Sequence, residues 1–124
     1  MDIIKMTDIK DLKCTFKSSK SLEDRISESK KIIEKYPDRI PIIVEKSADS
    51  NLKDIDKQKY LVPKELTFSQ FLYIIRKRIH LNEAEALFIF INNKLVPSNK
   101  SMNEVYDVDK DEDGFLYVTY TNEN

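Results

Sequence analysis

The sequence predicts an α+β fold in which one mixed β-sheet is covered by helices on both faces. Residues 39–45 are apolar at both odd and even positions, which is typical of a strand buried on both sides. Two capping boxes, Thr67 with Gln70 and Ser101 with Glu104, each begin a helix between strand-like stretches. A strand that is apolar on both faces must be covered on both, so the sheet needs helices on each side.

The first part of the chain is predicted to be helical after a short extension. Residues 1–12 show no clean period and are interpreted as a mobile extension, and residues 13–124 as a single domain whose first part, about 13–36, is a helical subdomain. Ser21 caps a helix that ends near Lys35. At 100° per residue its packing face is expected to be Leu22, Ile26, Ile33 and Tyr36, with Ile32 and Glu28 on one flank.

Two strands follow. The strand at 39–45 sends one set of apolar residues to one face and another set to the other: Ile40, Ile42 and Val44 against Pro41 and Ile43. The stretch 57–63 begins with lysines and ends in proline, as edge strands do. Alternation places Lys59 and Leu61 on one face, and Tyr60 and Val62 on the other. Such an edge can capture an extended peptide, although the same residues also fit an edge protected against aggregation.

The second half predicts a helix, two strands, a short helix and a last strand. The helix after Thr67 has the core stripe Phe68, Phe71, Leu72, Ile75 and Ile79, with Ile74 and Arg78 on its flank. The remaining elements are a strand at 87–91 buried on both faces, a turn at 92–93 able to use positive φ, a return strand at 94–97, a helix from 101 to about 108, a solvated turn at 109–114 and a strand at 115–120. After the leading helix, this order is that of the ubiquitin-like β-grasp, a mixed sheet around one central helix.

Composition excludes several classes of site. The 124 residues contain one glycine, one histidine and one cysteine, which argues against phosphate-cradling loops, metal clusters and disulfides. We therefore expect no cofactor and no metal. No apolar run approaches a membrane span, and no signal-peptide core is present at the N-terminus. Residues 101–124 hold one lysine and seven carboxylates, whereas the preceding part is weakly basic, which favours acidic peptides over nucleic acid as partners.

The sequence argues against an enzyme. A hydrolase built on Cys14 and His80 is formally possible, and it would have a reactive thiol with a lowered pKa. No orienting residue accompanies this pair, and His80 ends the basic stretch 76–80, where a helix cap or a surface position is expected.

Three stretches resemble the autophagy ubiquitin-like modifier family, which includes GABARAP and microtubule-associated protein light chain three. They are Lys35 to Lys46, Asp56 to Pro63, and Ile74 to Leu81; Leu87 to Asn93, Pro97 and Asp113 to Tyr120 continue the match. The resemblance covers roughly residues 13–124, and the GABARAP-like branch looks closer than the light-chain branch.

The resemblance implies a groove for receptor peptides with acidic residues followed by an aromatic residue, two arbitrary residues and Leu, Ile or Val. The peptide would add a strand along residues 57–62, with Lys57 and Lys59 meeting its acidic residues. The aromatic pocket implied is Glu28, Ile32, Pro41, Ile43, Lys59, Leu61 and Phe115. The aliphatic pocket implied is Tyr60, Val62, Pro63, Leu66, Phe71, Ile74, Ile75 and Arg78. A second surface at 88–91 resembles the docking site for a helical motif, but its pattern is mostly that of a core strand.

The resemblance also implies conjugation. A C-terminal glycine, exposed by a processing cysteine protease or already terminal, is activated by an E1-like enzyme, passed through an E2-like enzyme and joined to phosphatidylethanolamine. The protein is then expected in the cytoplasm and, when lipidated, on the autophagosome or a related membrane. The sequence stops at Thr121 to Asn124, before such a glycine. Either the natural chain continues to the glycine, which we favour, or the protein is a non-conjugated β-grasp scaffold that bridges proteins through the same groove.

Overall fold

The computed structural model describes residues 15–122, which form a five-stranded mixed sheet with helices on both faces. The strands are β1 (Arg39–Lys46), β2 (Lys59–Pro63), β3 (Phe88–Ile91), β4 (Lys94–Leu95) and β5 (Leu116–Thr121). Their order across the sheet is β2-β1-β5-β3-β4. β1 and β5 are parallel, and the other neighbouring pairs are antiparallel. β2 therefore lies at an edge of the sheet, with no further strand beside it among residues 15–122, as its lysines and its proline predict.

Four helices are described: α1 (Phe16–Ser19), α2 (Leu22–Lys35), α3 (Phe68–Arg78) and α4 (Met102–Asp109). Each begins at a side chain that accepts from a backbone N–H of the first turn, as N-caps do. The predicted caps of α2, α3 and α4 are confirmed, and both predicted capping boxes are present. The caps explain why these three helices start where the sequence predicts.

The two faces of the sheet are covered by different layers. Ile40, Ile42 and Val44 of β1 belong to the main core, which α3 and α4 complete on one face. Ile43 packs on the other face with Phe16 and Phe115, under α1 and α2. The predicted division of the β1 side chains between two faces is confirmed. Four residues of the predicted α3 core stripe, Phe68, Phe71, Ile75 and Ile79, are buried, and the fifth, Leu72, is half-buried against the core.

The predicted packing face of α2 is wrong. Leu22, Ile26 and Tyr36 are 37–40% exposed, whereas Ser29 is buried at 3%. The helix is rotated from its most apolar stripe because Ser29 faces Gly114, whose φ is 92° and whose missing side chain leaves room for the serine hydroxyl. The Ser29 hydroxyl donates to the Asp113 carbonyl oxygen.

Two smaller expectations also need correction. Residues 88–91 are buried on one face only: Ile89 and Ile91 lie in the core, and Phe88 and Phe90 are half-buried because α1 and α2 cover the other end of the sheet. The turn at 109–114 is not fully solvated, since Asp113 is 1% exposed and is held by hydrogen bonds. The predicted extension at 1–12 and Cys14 lie outside the described residues.

Candidate functional site

The candidate site is the free edge of β2. The Val44 N–H donates to the Gln58 carbonyl oxygen at 2.8 Å, so these two residues are a hydrogen-bonded pair of the β1–β2 ladder. Bonded and non-bonded pairs alternate in an antiparallel ladder, which turns the backbone groups of Tyr60 and Val62 towards β1 and those of Lys59 and Leu61 outwards. The N–H and C=O groups of Lys59 and Leu61 therefore point outwards, where the Leu61 carbonyl oxygen accepts from Arg39 Nη1 at 3.4 Å. The edge ends at Pro63, which has no N–H.

On one face of β2 the structure brings together the seven residues of the predicted aromatic pocket. In the β1–β2 register, Leu61 pairs with Pro41 and Lys59 pairs with Ile43. The remaining members meet these through side chains: Phe115 and Ile32 pack on Ile43, and Glu28 pairs with Lys59. Ile43 and Phe115 are 0% and 1% exposed, so they form a buried floor, and half-buried Leu61 is the apolar side chain beside the edge, with charged groups at the rim.

The rim is a carboxylate between two lysines. Lys20 Nζ lies 2.7 Å from Glu28 Oε1, and Lys59 Nζ lies 2.5 Å from Glu28 Oε2. Partial burial by itself would raise the pKa of Glu28, but the hydrogen bonds from the two lysines outweigh it and leave that pKa below its ordinary value. Lys59 remains 47% exposed, so an incoming carboxylate can reach its ammonium group without moving the backbone.

The other face of β2 carries the predicted aliphatic pocket. Tyr60 and Val62 lie in the main core, where the Tyr60 ring meets Phe71 edge-on at a centroid distance of 6.3 Å. Leu66 and Ile74 are half-buried against this core, and Pro63 is exposed. Phe71 and Ile75 have no exposed surface, so they form the back of the pocket and not its opening.

Cations surround the Tyr60 ring. The Arg78 guanidinium carbon lies 5.9 Å from the ring centroid, and Lys57 Nζ lies 5.6 Å from it. Burial raises the pKa of Tyr60, so the phenol stays protonated. Its buried hydroxyl has no hydrogen-bond partner within the part of the chain that the structure describes.

A residue that sequence reasoning missed completes the aromatic side. Phe16, on α1, is 4% exposed, and its ring meets Phe115 edge-on at 5.2 Å between centroids. The sequence did hold a signal for it. Pro41 and Ile43 form an apolar face of β1 that is too large for Ile32 alone to cover. Phe16 follows Thr15, a residue able to cap a helix, and its aromatic side chain could have supplied the additional cover.

A buried ion pair fixes α2 over the sheet. Asp113 Oδ2 accepts from Arg25 Nη1 at 2.6 Å and from the Tyr117 hydroxyl at 2.5 Å, while Oδ1 accepts from the Phe115 N–H at 2.8 Å. The Asp113 side chain is fully buried. Since Arg25 lies one helical turn before Ser29 and next to Glu28 on α2, this network sets the position of the pocket rim.

Other predicted features have structural roles or stay predictions. His80 adopts φ 57° after α3, where its N–H and that of Leu81 donate to Lys77 and Arg76 carbonyl oxygens and close the helix end. No His, Cys, Asp or Glu cluster among residues 15–122 is arranged to hold a metal ion. Phe90 borders an open groove of about 430 Å³ with Tyr117 and Thr119, so a docking role for 88–91 stays a prediction. Within the same range, no helix has the length and apolar character to cross a membrane.

Comparisons with known proteins agree with the fold. Residues 24–124 match the family described as autophagy protein Atg8, ubiquitin like. Autophagy-related protein 8a of Arabidopsis thaliana is 56% identical over 112 residues, covering 90% of this chain and 92% of that protein. Autophagy-related protein 8B of Oryza sativa subsp. japonica is 54% identical over 112 residues, covering 90% and 94%.

A solved structure has the same fold. The crystal structure of Trypanosoma brucei ATG8 superposes with a TM-score of 0.84 at 42% identity, covering 90% of this chain and 97% of that one. The ubiquitin-like fold predicted from the order of elements is confirmed, while assignment to the GABARAP-like branch stays a prediction. The chain belongs to the Atg8 family of ubiquitin-like autophagy modifiers.

Proposed function

We propose that this protein recruits autophagy receptors by binding their acidic, aromatic-x-x-aliphatic peptides as an added strand along β2. The observation that carries the proposal is the sheet edge itself: the backbone groups of Lys59 and Leu61 point outwards, and apolar side chains lie on both faces of the strand, Leu61 on one and Val62 on the other. Strand addition uses such backbone groups for affinity and the flanking pockets for specificity.

Each part of the peptide has a complementary feature. The aromatic anchor would occupy the side of Ile43, Leu61 and Phe115, and the aliphatic anchor the side of Val62, Leu66 and Ile74. Preceding acidic residues would meet the exposed ammonium groups of Lys57 and Lys59. The roles of all these residues are part of the proposal.

The expected affinity is modest. Two buried anchors contribute about 1.5–3 kcal/mol each, the strand hydrogen bonds and lysine contacts add to this, and ordering a flexible peptide costs several kcal/mol. If the strand hydrogen bonds and lysine contacts supply the remainder, we expect a dissociation constant near the micromolar range, which corresponds to a binding free energy of about −8 kcal/mol. The lysine contribution weakens with salt, because Lys59 is half-exposed.

Conjugation to a membrane lipid, the reaction of the family, would let this protein connect a receptor and its cargo to the membrane. In a form with a C-terminal glycine, this protein would be processed by the cysteine protease, activated by the E1-like enzyme and transferred by the E2-like enzyme to phosphatidylethanolamine. It would then act at the autophagosome and otherwise in the cytoplasm. Incubating a glycine-ended form with the two enzymes and phosphatidylethanolamine vesicles tests this step, and absence of a lipid-linked product would contradict it.

Titration of a fluorescent peptide carrying acidic residues and a Trp-x-x-Leu motif tests the groove. Leu61→Ala removes a half-buried side chain at the proposed anchor and is expected to weaken binding about tenfold or more. Leu95→Ala, on the opposite edge strand β4 and 52% exposed, is the matched control and should bind as the parent does. Equal binding by both variants, or no saturable binding by the folded parent, would contradict the proposal.

A further inference from the structure

α1 lies directly beneath the rim of the aromatic side. Lys20 Nζ and Lys59 Nζ stand 5.3 and 5.2 Å from the centroid of the Phe16 ring, and both lysines also hold Glu28. The same ring packs with Ile43 and Phe115, which form the floor. Phe16 thus contacts the floor and the rim at once, although it lies 43 residues before the first residue of β2, Lys59.

Polar contacts on several sides hold Phe16 in this place. Its N–H donates to Glu45 Oε2 on β1 at 2.9 Å. The next residue, Lys17, pairs with Asp111 at 2.6 Å and lies 4.6 Å over the Tyr117 ring. The ring is consequently a fixed surface, whose edge-on contact with Phe115 leaves it little freedom to withdraw.

We propose that Phe16 is a specificity-determining residue, forming the inner wall of the aromatic pocket and limiting the size of the aromatic residue that the pocket accepts. The proposal rests on the proposed function of the β2 edge. A fixed apolar wall discriminates between ligands by volume, since a ring too large must displace the wall and a smaller ring leaves a void.

Removing the wall should change the preference between aromatic anchors. In Phe16→Ala the space of a phenyl ring opens next to Ile43 and Phe115, where an indole can extend further than a phenyl ring. The dissociation constant of a Phe-x-x-Leu peptide divided by that of the matching Trp-x-x-Leu peptide is expected to rise about tenfold, the effect typical of one or two carbon atoms in an apolar pocket.

The experiment measures both peptides against the parent and three variants. Phe16→Ala opens the space, Phe16→Leu keeps most of the side-chain volume, and Leu95→Ala removes an exposed side chain at the opposite edge of the sheet and leaves the Phe16 ring and its contacts in place. We expect the ratio to rise strongly in Phe16→Ala, slightly in Phe16→Leu and not at all in Leu95→Ala. If Phe16→Ala does not fold, the smaller shift in Phe16→Leu carries the test.

The outcomes separate this inference from the function on which it rests. Binding of both peptides by the parent, with a ratio that is unchanged in the Phe16 variants, would overturn the inference and leave the groove intact. An equal loss or an equal gain of affinity for both peptides would overturn it as well, because Phe16 would then support or obstruct the pocket without selecting. Failure of the parent to bind either peptide would overturn both.

Discussion

The Asp113 network gives the sharpest prediction of stability. In Asp113→Asn the Oδ1 contact with the Phe115 N–H can remain, but an amide NH₂ replaces the oxygen that accepts from Arg25 and Tyr117. Two donors then face a third donor inside a fully buried site. The substitution keeps the shape of the side chain, so the change in stability reports on hydrogen bonding and charge.

The expected cost follows from the contacts. Hydrogen bonds to a charged group contribute about 1.5–3 kcal/mol each, and two are lost. Part is regained because the Tyr117 hydroxyl can rotate to accept from the new amide. We expect a loss of about 3 kcal/mol in the free energy of unfolding, which is a large share of the stability of a domain of this size.

Urea unfolding followed by circular dichroism measures this loss as a shift of roughly 1.5 M in the transition midpoint at unchanged slope. The control is Asp56→Asn, which removes an ion pair with Arg78 at 3.6 Å, both of whose side chains are exposed, and which should cost less than about 0.5 kcal/mol. Equal, small losses in the two variants would refute the reasoning that burial makes the Asp113 pair important.

Three further predictions concern single positions. Gly114→Ala places a methyl group on a backbone with φ 92° and within 2.5 Å of Ser29 Oγ, so it should lower the free energy of unfolding by roughly 2 kcal/mol. The control, Asn93→Ala, is exposed and has φ 62°, and it should cost about 1 kcal/mol. Urea unfolding of both variants measures the two losses, and equal losses would show that the contact with Ser29 costs nothing. Glu28→Gln tests linkage. Because the folded protein lowers the pKa of Glu28 below its ordinary value, the carboxylate adds stability at neutral pH and loses it as the pH falls through the folded-state pKa. The stability advantage of the parent over the variant should therefore shrink steadily as the pH is lowered from about 7 into the acid range, and a difference independent of pH would be inconsistent with this. His80→Gly relieves φ 57° at the end of α3 and should raise the melting temperature, corresponding to about 1 kcal/mol, while a lower melting temperature would show that the histidine makes a contact worth more than the strain.

Strand parity made much of the site predictable. A strand side chain has only two directions, so once β2 was read from its lysines and proline, Leu61 and Tyr60 had to lie on opposite faces. The capping residues fixed the starts of the helices just as firmly, because few side chains can satisfy the free N–H groups of a first turn. Both rules depend only on residues that are neighbours in sequence, so the rest of the fold does not change their outcome.

The helix α2 could not be oriented from its own residues. A helix has a continuous choice of faces, and the most apolar one is favoured only if nothing else competes. Here the bare backbone of Gly114 admits Ser29, and the buried charge of Asp113 draws in Arg25, 88 residues away in sequence. The exposed stripe that includes Leu22 and Ile26 is the consequence, and no local pattern reveals it.

Phe16 was missed for a related reason. Its helix has only four residues, too short for any periodicity, and its polar neighbours give the segment the composition of a loop. The ring is buried because α1 spans a part of the sheet that α2 leaves open, which is a property of the assembled layers. Residues that complete a pocket from a distant segment are therefore the part of a site that a single sequence conceals.

Amide hydrogen exchange, measured by NMR with and without the acidic Trp-x-x-Leu peptide, tests the central claim of strand addition most directly. Binding slows all exchange by stabilising the fold, so the informative quantity is the rate at Lys59 and Leu61, whose N–H groups face outwards, relative to Tyr60 and Val62, whose N–H groups face β1. The account predicts that peptide protects Lys59 and Leu61 selectively. Saturable binding that leaves this relative rate unchanged would contradict the added strand.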